Sequence, residues 1–121
     1  MCIRDRPQVA RILSYRGGCT PLDHPLADRA VDTAVRACAA CPGLRGYVGV
    51  DLVLTGSDAV VIEINPRLTT AYLGVRSAIE RRRGYGNIAA MAIDACRGRL
   101  PAPPHFERRV RFSASGRIAY V

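Results

Sequence analysis

The chain has 121 residues, of which 49% are hydrophobic and 23% charged, so it can bury a modest core and amounts to one domain or part of one. No apolar run approaches the roughly eighteen residues that a membrane span needs, and the N-terminus lacks the hydrophobic stretch of a signal peptide. The five cysteines, an odd number without an export signal, favour a reducing compartment and hence the cytoplasm.

The net charge of +8 suggests a nucleic-acid partner. All 18 basic residues are arginine, however, and they are scattered from Arg4 to Arg117 with one cluster at 81–83. Two phenylalanines and five tyrosines do not provide the stacking platform that bases require. The pattern therefore favours a solvated basic surface. A basic binding module for RNA or acidic partners stays open as the alternative function.

The first elements are a short prefix and a strand. Residues 1–6 fit badly with the rest of the chain and resemble the read-through prefix of fragmentary environmental sequences, so we expect them not to be native. Apolar spacing from Val9 to Tyr15 predicts a strand, which Gly17-Gly18 should end.

A helix is predicted over 26–40, with Asp23 or His24 at its cap and Pro25 in its first turn. We expect its apolar stripe to face the core. The stripe consists of Leu26, Ala27, Ala30, Val31, Ala34, Val35 and Cys38.

The remaining elements are hairpins and helices. The strongest hairpin signal is the pair of apolar runs 47–54 and 59–64, joined by Thr55-Gly56-Ser57-Asp58. Two helices are predicted after it, at 71–82 and 87–97. They are followed by a proline-rich connector at 101–104 and by a closing hairpin of strands 110–113 and 117–121.

The first hairpin has one unusual face. If its loop comprises the three residues 56–58, Asp51 lies opposite Glu63 and Gly49 opposite Asn65. Strand alternation then gives one mixed face of Tyr47, Gly49, Asp51, Val53, Val61, Glu63 and Asn65. The other face is wholly apolar, and we expect it to pack on helices; it consists of Val48, Val50, Leu52, Leu54, Val60, Ile62 and Ile64. A loop longer or shorter by one residue would separate the two acids.

Two carboxylates directly across a hairpin repel each other, so the pair is stable if it is exposed, if one group is protonated, or if a cation lies between them. The side-chain oxygen of Asn65 would add a third ligand beside Asp51 and Glu63. An all-oxygen set suits Mg²⁺, which binds through one or two carboxylates together with phosphates and water. Gly49 would leave room for something large above the sheet. A solvent-facing hairpin with ordinary surface acids is the competing interpretation.

The residues after the second strand extend this pattern. Pro66 cannot continue a central strand. The turn should therefore direct Arg67 forward from the strand end, where a guanidinium can bind phosphate or carboxylate.

These stretches resemble a known family. Residues 46–54 (GYVGVDLVL) and 61–67 (VIEINPR) are similar to the C-terminal half of the ATP-grasp domain of carboxylate–amine ligases. The resemblance implies that Asp51, Glu63 and Asn65 bind the Mg²⁺ (or Mn²⁺) on the phosphates of ATP. It also implies that Arg67 stabilises the acyl-phosphate and the transferring phosphoryl group. The continuation 68–72 is similar to the branch that contains tyramine–glutamate ligase.

The resemblance implies an α+β fold, an antiparallel sheet with packed helices, forming the C-terminal lobe of an ATP-grasp domain over residues 7–100. Residues 101–121 would be a connector and a terminal β-hairpin. The lysines that contact phosphate in that family lie N-terminal to this hairpin, and this chain contains no lysine. We therefore expect a fragment that is inactive alone. In the whole enzyme it would use ATP and small-molecule carboxylate and amine substrates.

A zinc site is a weaker alternative. Cys38 and Cys41 could be combined with Cys19 and His24. However, Cys38 belongs to the apolar stripe of its helix, and the spacing of Cys19 and His24 matches no common ligand pair, so buried structural cysteines are the preferred interpretation.

Overall fold

The computed structural model describes residues 14–79, 87–99 and 103–121. They form an α+β structure with two antiparallel sheets, one a β2–β3 hairpin and the other three-stranded in the order β1-β4-β5. In chain order the elements are β1 (Gly18–Thr20), α1 (Ala27–Ala39), β2 (Gly49–Leu54), β3 (Ala59–Asn65), α2 (Ala71–Ala78), α3 (Ile88–Cys96), β4 (Val110–Phe112) and β5 (Ile118–Tyr120). The expected fold had a single antiparallel sheet, so the second sheet is a correction.

The first described strand comes after the segment 9–15 that was predicted to be a strand. Residues 9–13 of the expected strand are outside the described ranges, and residues 14–17 are not in a strand. The strand is Gly18–Thr20, which pairs with β4. A side chain at Gly17 would collide with the Phe112 carbonyl, and one at Gly18 would lie 2.9 Å from the Phe112 ring. The glycines that looked like a break therefore permit close strand pairing.

Helix α1 packs on the hairpin, mainly on β3. His24 acts at its start, since its Nδ1 accepts the Leu26 N–H at 3.1 Å. The predicted stripe is correct at Ala30, which is buried, but wrong at Val31 and Val35, which are each 61% exposed. The helix therefore approaches the hairpin through its alanine side, which allows close contact.

Helix α2 packs on the three-stranded sheet rather than on the hairpin. Gly74 lies against the Phe112 ring, and the helix residue Ala78 is buried together with Val110 and Phe112 of β4. The helix was predicted to reach residue 82, but it ends at Ala78 because Ile79 is extended and bridges to Phe106. Residues 80–82 lie outside the described ranges.

The third helix and the closing hairpin are confirmed. The Asn87 side chain accepts the Ala89 N–H at 3.0 Å and so caps α3. The α3 residue Cys96 contacts Gly46 just before β2. The turn between β4 and β5 is closed by the Ser113 N–H, which donates to the Arg117 carbonyl at 2.9 Å. In the part of the chain that the structure describes, no helix is long and apolar enough to cross a bilayer.

Candidate active site

The hairpin brings the two acids together as predicted. Asp51 is paired with Glu63, and Gly49 is paired with Asn65. All four positions therefore share one face, because directly opposed residues point the same way. Asn65 is buried, Asp51 is half-buried and Glu63 is exposed.

The predicted pairing is observed, but the length of the loop between the two strands differs from the one expected. The loop comprises the four residues 55–58 rather than three, since Leu54 pairs with Ala59. This shifts the pairing by one residue near the turn. A bulge then restores it: Leu52 pairs with Val61 and Asp51 with Glu63, leaving Ile62 as the extra residue. The longer loop is stabilised by Thr55, whose hydroxyl accepts the Asp58 N–H at 3.0 Å.

The bulge changes the two faces near the turn. Val61 joins Leu52 on the face opposite the acids, which also contains the buried Ala59, whereas we predicted Val61 beside the acids. Val60 joins Val53 on the acid-bearing face, and both are about half exposed. Ile62 is 64% exposed, which corrects its predicted place on the helix-packed face. Apolar side chains therefore extend from the acid pair towards the turn.

The acid pair lacks a cationic partner within the described ranges, although the chain is rich in arginine. Four other acids are within 4.0 Å of an arginine nitrogen there. They are Asp58 with Arg29, Asp94 with Arg99, Glu107 with Arg108, and Asp23 with Arg109. Asp51 and Glu63 face each other instead, so their repulsion is not relieved by a described arginine.

The donor set fits a hard cation that retains other ligands. Among the described residues, no group of three or more His, Cys, Asp or Glu side chains is placed to hold a metal. A cation between Asp51 and Glu63 would therefore rely on these two carboxylates, on the oxygen of the adjacent Asn65, and on phosphate or water. Such partial, all-oxygen coordination is characteristic of Mg²⁺.

Arg67 follows the strand after a tight turn. Its N–H donates to the Asn65 carbonyl at 2.8 Å, which reverses the chain around Pro66. The exposed guanidinium donates to the Leu68 carbonyl at 3.3 Å and forms no ion pair with a described acid. Its charge is therefore not neutralised by Asp51 or Glu63.

The space over Gly49 is filled by the chain itself. A Cβ built on Gly49 would lie 2.5 Å from Thr69 Cγ2, so Thr69 rests on the sheet beside Asn65. Next to this contact, the rings of Tyr47 and Tyr72 pack edge to face with centroids 6.1 Å apart. The sequence suggested the space but not its occupant, because contact with residue 69 depends on how the post-strand loop folds back.

The predicted cysteine alternative gains no support. Cys19, Cys38, Cys41 and Cys96 are free thiols. Cys19 and Cys41 are exposed, and these residues form no metal-binding cluster with the described histidines or acids. The description of buried structural cysteines is wrong for Cys19 and Cys41, both of which are exposed.

An acidic, oxygen-rich face on a hairpin that leads to an exposed arginine defines a candidate site for a cation and an anionic substrate. A family model described as an ATP-grasp domain matches residues 2–71, more than half of the chain. The chain therefore belongs to the ATP-grasp family. The matched stretch contains the whole β2–β3 hairpin and Arg67, and it also runs through most of segment 1–6.

The curated relatives include a ligase and a synthase by name. Tyramine–L-glutamate ligase of Methanocaldococcus jannaschii is 39% identical over 63 residues, which are 52% of this chain and 20% of that protein. Carnosine synthase 1 of Homo sapiens is 40% identical over 74 residues, 61% of this chain and 9% of that protein. The chain thus spans a fifth or less of the length of these relatives. No solved structure matches it.

Proposed function

We propose that this chain is the C-terminal part of an ATP-grasp domain in a ligase that activates a carboxylate as an acyl-phosphate and joins it to an amine. The observation that carries the proposal is the Asp51–Glu63 pair, two opposed carboxylates without a described cationic partner in an arginine-rich chain. Membership of the ATP-grasp family and the names of the relatives support the reaction class.

In this proposal Asp51, Glu63 and Asn65 hold magnesium against the phosphates of ATP. Bound Mg²⁺, or Mn²⁺ in its place, would neutralise phosphate charge while the γ-phosphoryl group moves to the substrate carboxylate. Because Asn65 is buried, its side chain has little freedom to lose on binding.

Arg67 would act on the reacting groups. Its guanidinium is exposed and free of acidic partners among the described residues, so it can bind an anion. It would stabilise the charge on the acyl-phosphate, and then on the tetrahedral intermediate formed when the amine attacks. Release of phosphate leaves the amide.

The rest of the ATP site would be supplied by other parts of a longer protein. The chain aligns with 20% of the archaeal ligase and contains no lysine, although the family resemblance implies lysines on the phosphates. We expect no turnover by the chain alone. The free thiols agree with the expected cytoplasmic location, which stays a prediction.

The test is Glu63→Gln in the full-length protein that contains this chain. Gln retains the size of Glu63 but removes its charge, so ATP-dependent amide formation should be abolished, as measured by product and phosphate release. Glu107→Gln is the matched control, since it makes the same change at an acid already paired with Arg108. Near-normal turnover of Glu63→Gln would refute the metal assignment.

A further inference from the structure

Thr69, in the loop that carries Arg67, packs against Gly49 of the hairpin. Gly49 lies opposite Asn65, and a side chain there would project from the face that bears Asp51. Thr69 occupies this position, so a Cβ on Gly49 would lie only 2.5 Å from Thr69 Cγ2. Carbon atoms do not approach so closely, so a larger residue at position 49 must displace the Thr69 methyl group, either by rotating its side chain or by moving the loop that carries it.

The backbone is fixed on both sides of Arg67. Before it, the Arg67 N–H donates to the Asn65 carbonyl at 2.8 Å. After it, Thr69 rests on Gly49, and the Thr69 carbonyl accepts the Tyr72 N–H at 3.0 Å in the first turn of α2. Arg67 therefore lies between two contacts with the hairpin, one through its own N–H and one through Thr69.

We propose that Gly49 is a positioning residue, and that the space left by its missing side chain sets the distance of Arg67 from the acids of the hairpin. The inference rests on the proposed function, because it assigns a residue to the same site. Strand propensity leads to the opposite expectation, since glycine weakens a strand and alanine should be preferred. Glycine is required here by the loop above the strand.

The test compares Gly49→Ala, the double variant Gly49→Ala/Thr69→Ser and Gly56→Ala in the full-length protein. Thr69→Ser removes Cγ2, after which a Cβ at position 49 would have Thr69 Oγ1 at 3.5 Å and Thr69 Cβ at 3.6 Å, ordinary contacts. Gly56 is the matched control, because a Cβ there meets nothing within 4 Å and its φ is not positive.

We expect Gly49→Ala to lower kcat by about 100-fold, the scale associated with a 1 Å misplacement. The KM for ATP should change less, since Asp51 and Glu63 remain paired. Hydrogen–deuterium exchange over residues 66–72 should accelerate in Gly49→Ala. The double variant should slow this exchange towards the wild-type rate and raise kcat, while Gly56→Ala should match the wild type in both measurements.

Wild-type exchange and kcat in Gly49→Ala would overturn the proposal, and so would a double variant no better than the single one. If Gly49→Ala does not fold, recovery of folded protein in the double variant supports the proposal and failure to recover it overturns it. If the wild-type protein forms no amide, the ligase assignment is refuted. The proposed contact between Gly49 and Thr69 is not, because the exchange experiment tests it independently of activity.

Discussion

At the scale of single residues, the opposed carboxylates of Asp51 and Glu63 make the site costly for the protein without a ligand. Like charges directly across an antiparallel pair are destabilising. The exposure of Glu63 allows solvent to screen part of this repulsion. Residues that serve function often lower the stability of the folded protein. The opposed carboxylates of Asp51 and Glu63 are an arrangement of this kind.

The repulsion gives a prediction with an unusual sign. Without metal and nucleotide, Glu63→Gln should raise the free energy of unfolding by roughly 0.2–1 kcal/mol, because it removes one member of the like-charged pair. Thermal or denaturant unfolding at low salt measures the change, which should shrink as salt is added.

Glu107→Gln serves as the control, because it removes the ion pair with Arg108 and should give no gain. A Glu63→Gln protein less stable than the wild type would contradict the repulsion between Asp51 and Glu63.

At the scale of elements, the hairpin shows what a sequence pattern can and cannot predict. The pairing of Asp51 with Glu63 and of Gly49 with Asn65 is confirmed, although it was predicted from a three-residue loop. The expected loop was nevertheless one residue too short, and the bulge at Ile62 compensated for it. A bulge depends on local twist and packing, so alternation alone does not reveal it.

Other elements were fixed by long-range contacts that no local pattern contains. Gly18 looks like a strand breaker until Phe112, far along the chain, packs on it, and Gly49 looks like open space until Thr69 fills it. Helix α3 was predictable because its signals are local, with Asn87 capping the first turn. The acid pair is also local, since both strands belong to one hairpin, but its predicted register is correct only because the bulge at Ile62 compensates for the longer loop.

The bulge predicts an asymmetry between two deletions in β3. Deleting Ile62 should leave Leu52 opposite Val61 and Asp51 opposite Glu63, because the extra residue is absent from the pairing. The acid pair and amide formation by the full-length protein should survive.

Deleting Ile64 is the matched comparison. It moves Asn65 into the place opposite Val50, on the other face of the hairpin, and should abolish activity. Equal activity of the two deletion variants, measured with folding checked by circular dichroism, would contradict the assigned register.

At the scale of the whole molecule, strands from near the two ends of the described chain belong to one sheet. Strand β4 pairs with β1 on one side and with β5 on the other, and α2 packs over this sheet. The closing hairpin at 110–120 is therefore integrated with residues 18–20 rather than attached as a separate appendage. Since α2 begins just after the loop that carries Arg67, this sheet also supports the candidate site.

The arginine excess has a structural counterpart on the same scale. Four of the arginines form exposed ion pairs with acids other than Asp51 and Glu63, and Arg108 also lies over the Tyr120 ring at 5.1 Å. Exposed pairs of this kind contribute little to stability. Asp51 and Glu63 are not in these ion pairs, and neither are Asp28 and Asp32. What distinguishes Asp51 and Glu63 is that they lie directly opposite each other, which is the feature a divalent cation would satisfy.

The most direct measurement is binding of Mn²⁺ with ATP to the full-length protein, monitored by electron paramagnetic resonance. The double variant Asp51→Asn/Glu63→Gln should weaken Mn²⁺ binding by at least about tenfold, the loss expected even for groups one step removed from a metal. The control Asp94→Asn/Glu107→Gln removes two acids from exposed ion pairs and should bind as the wild type does. Unchanged Mn²⁺ binding by the Asp51/Glu63 variant would contradict the assignment of these carboxylates as metal ligands.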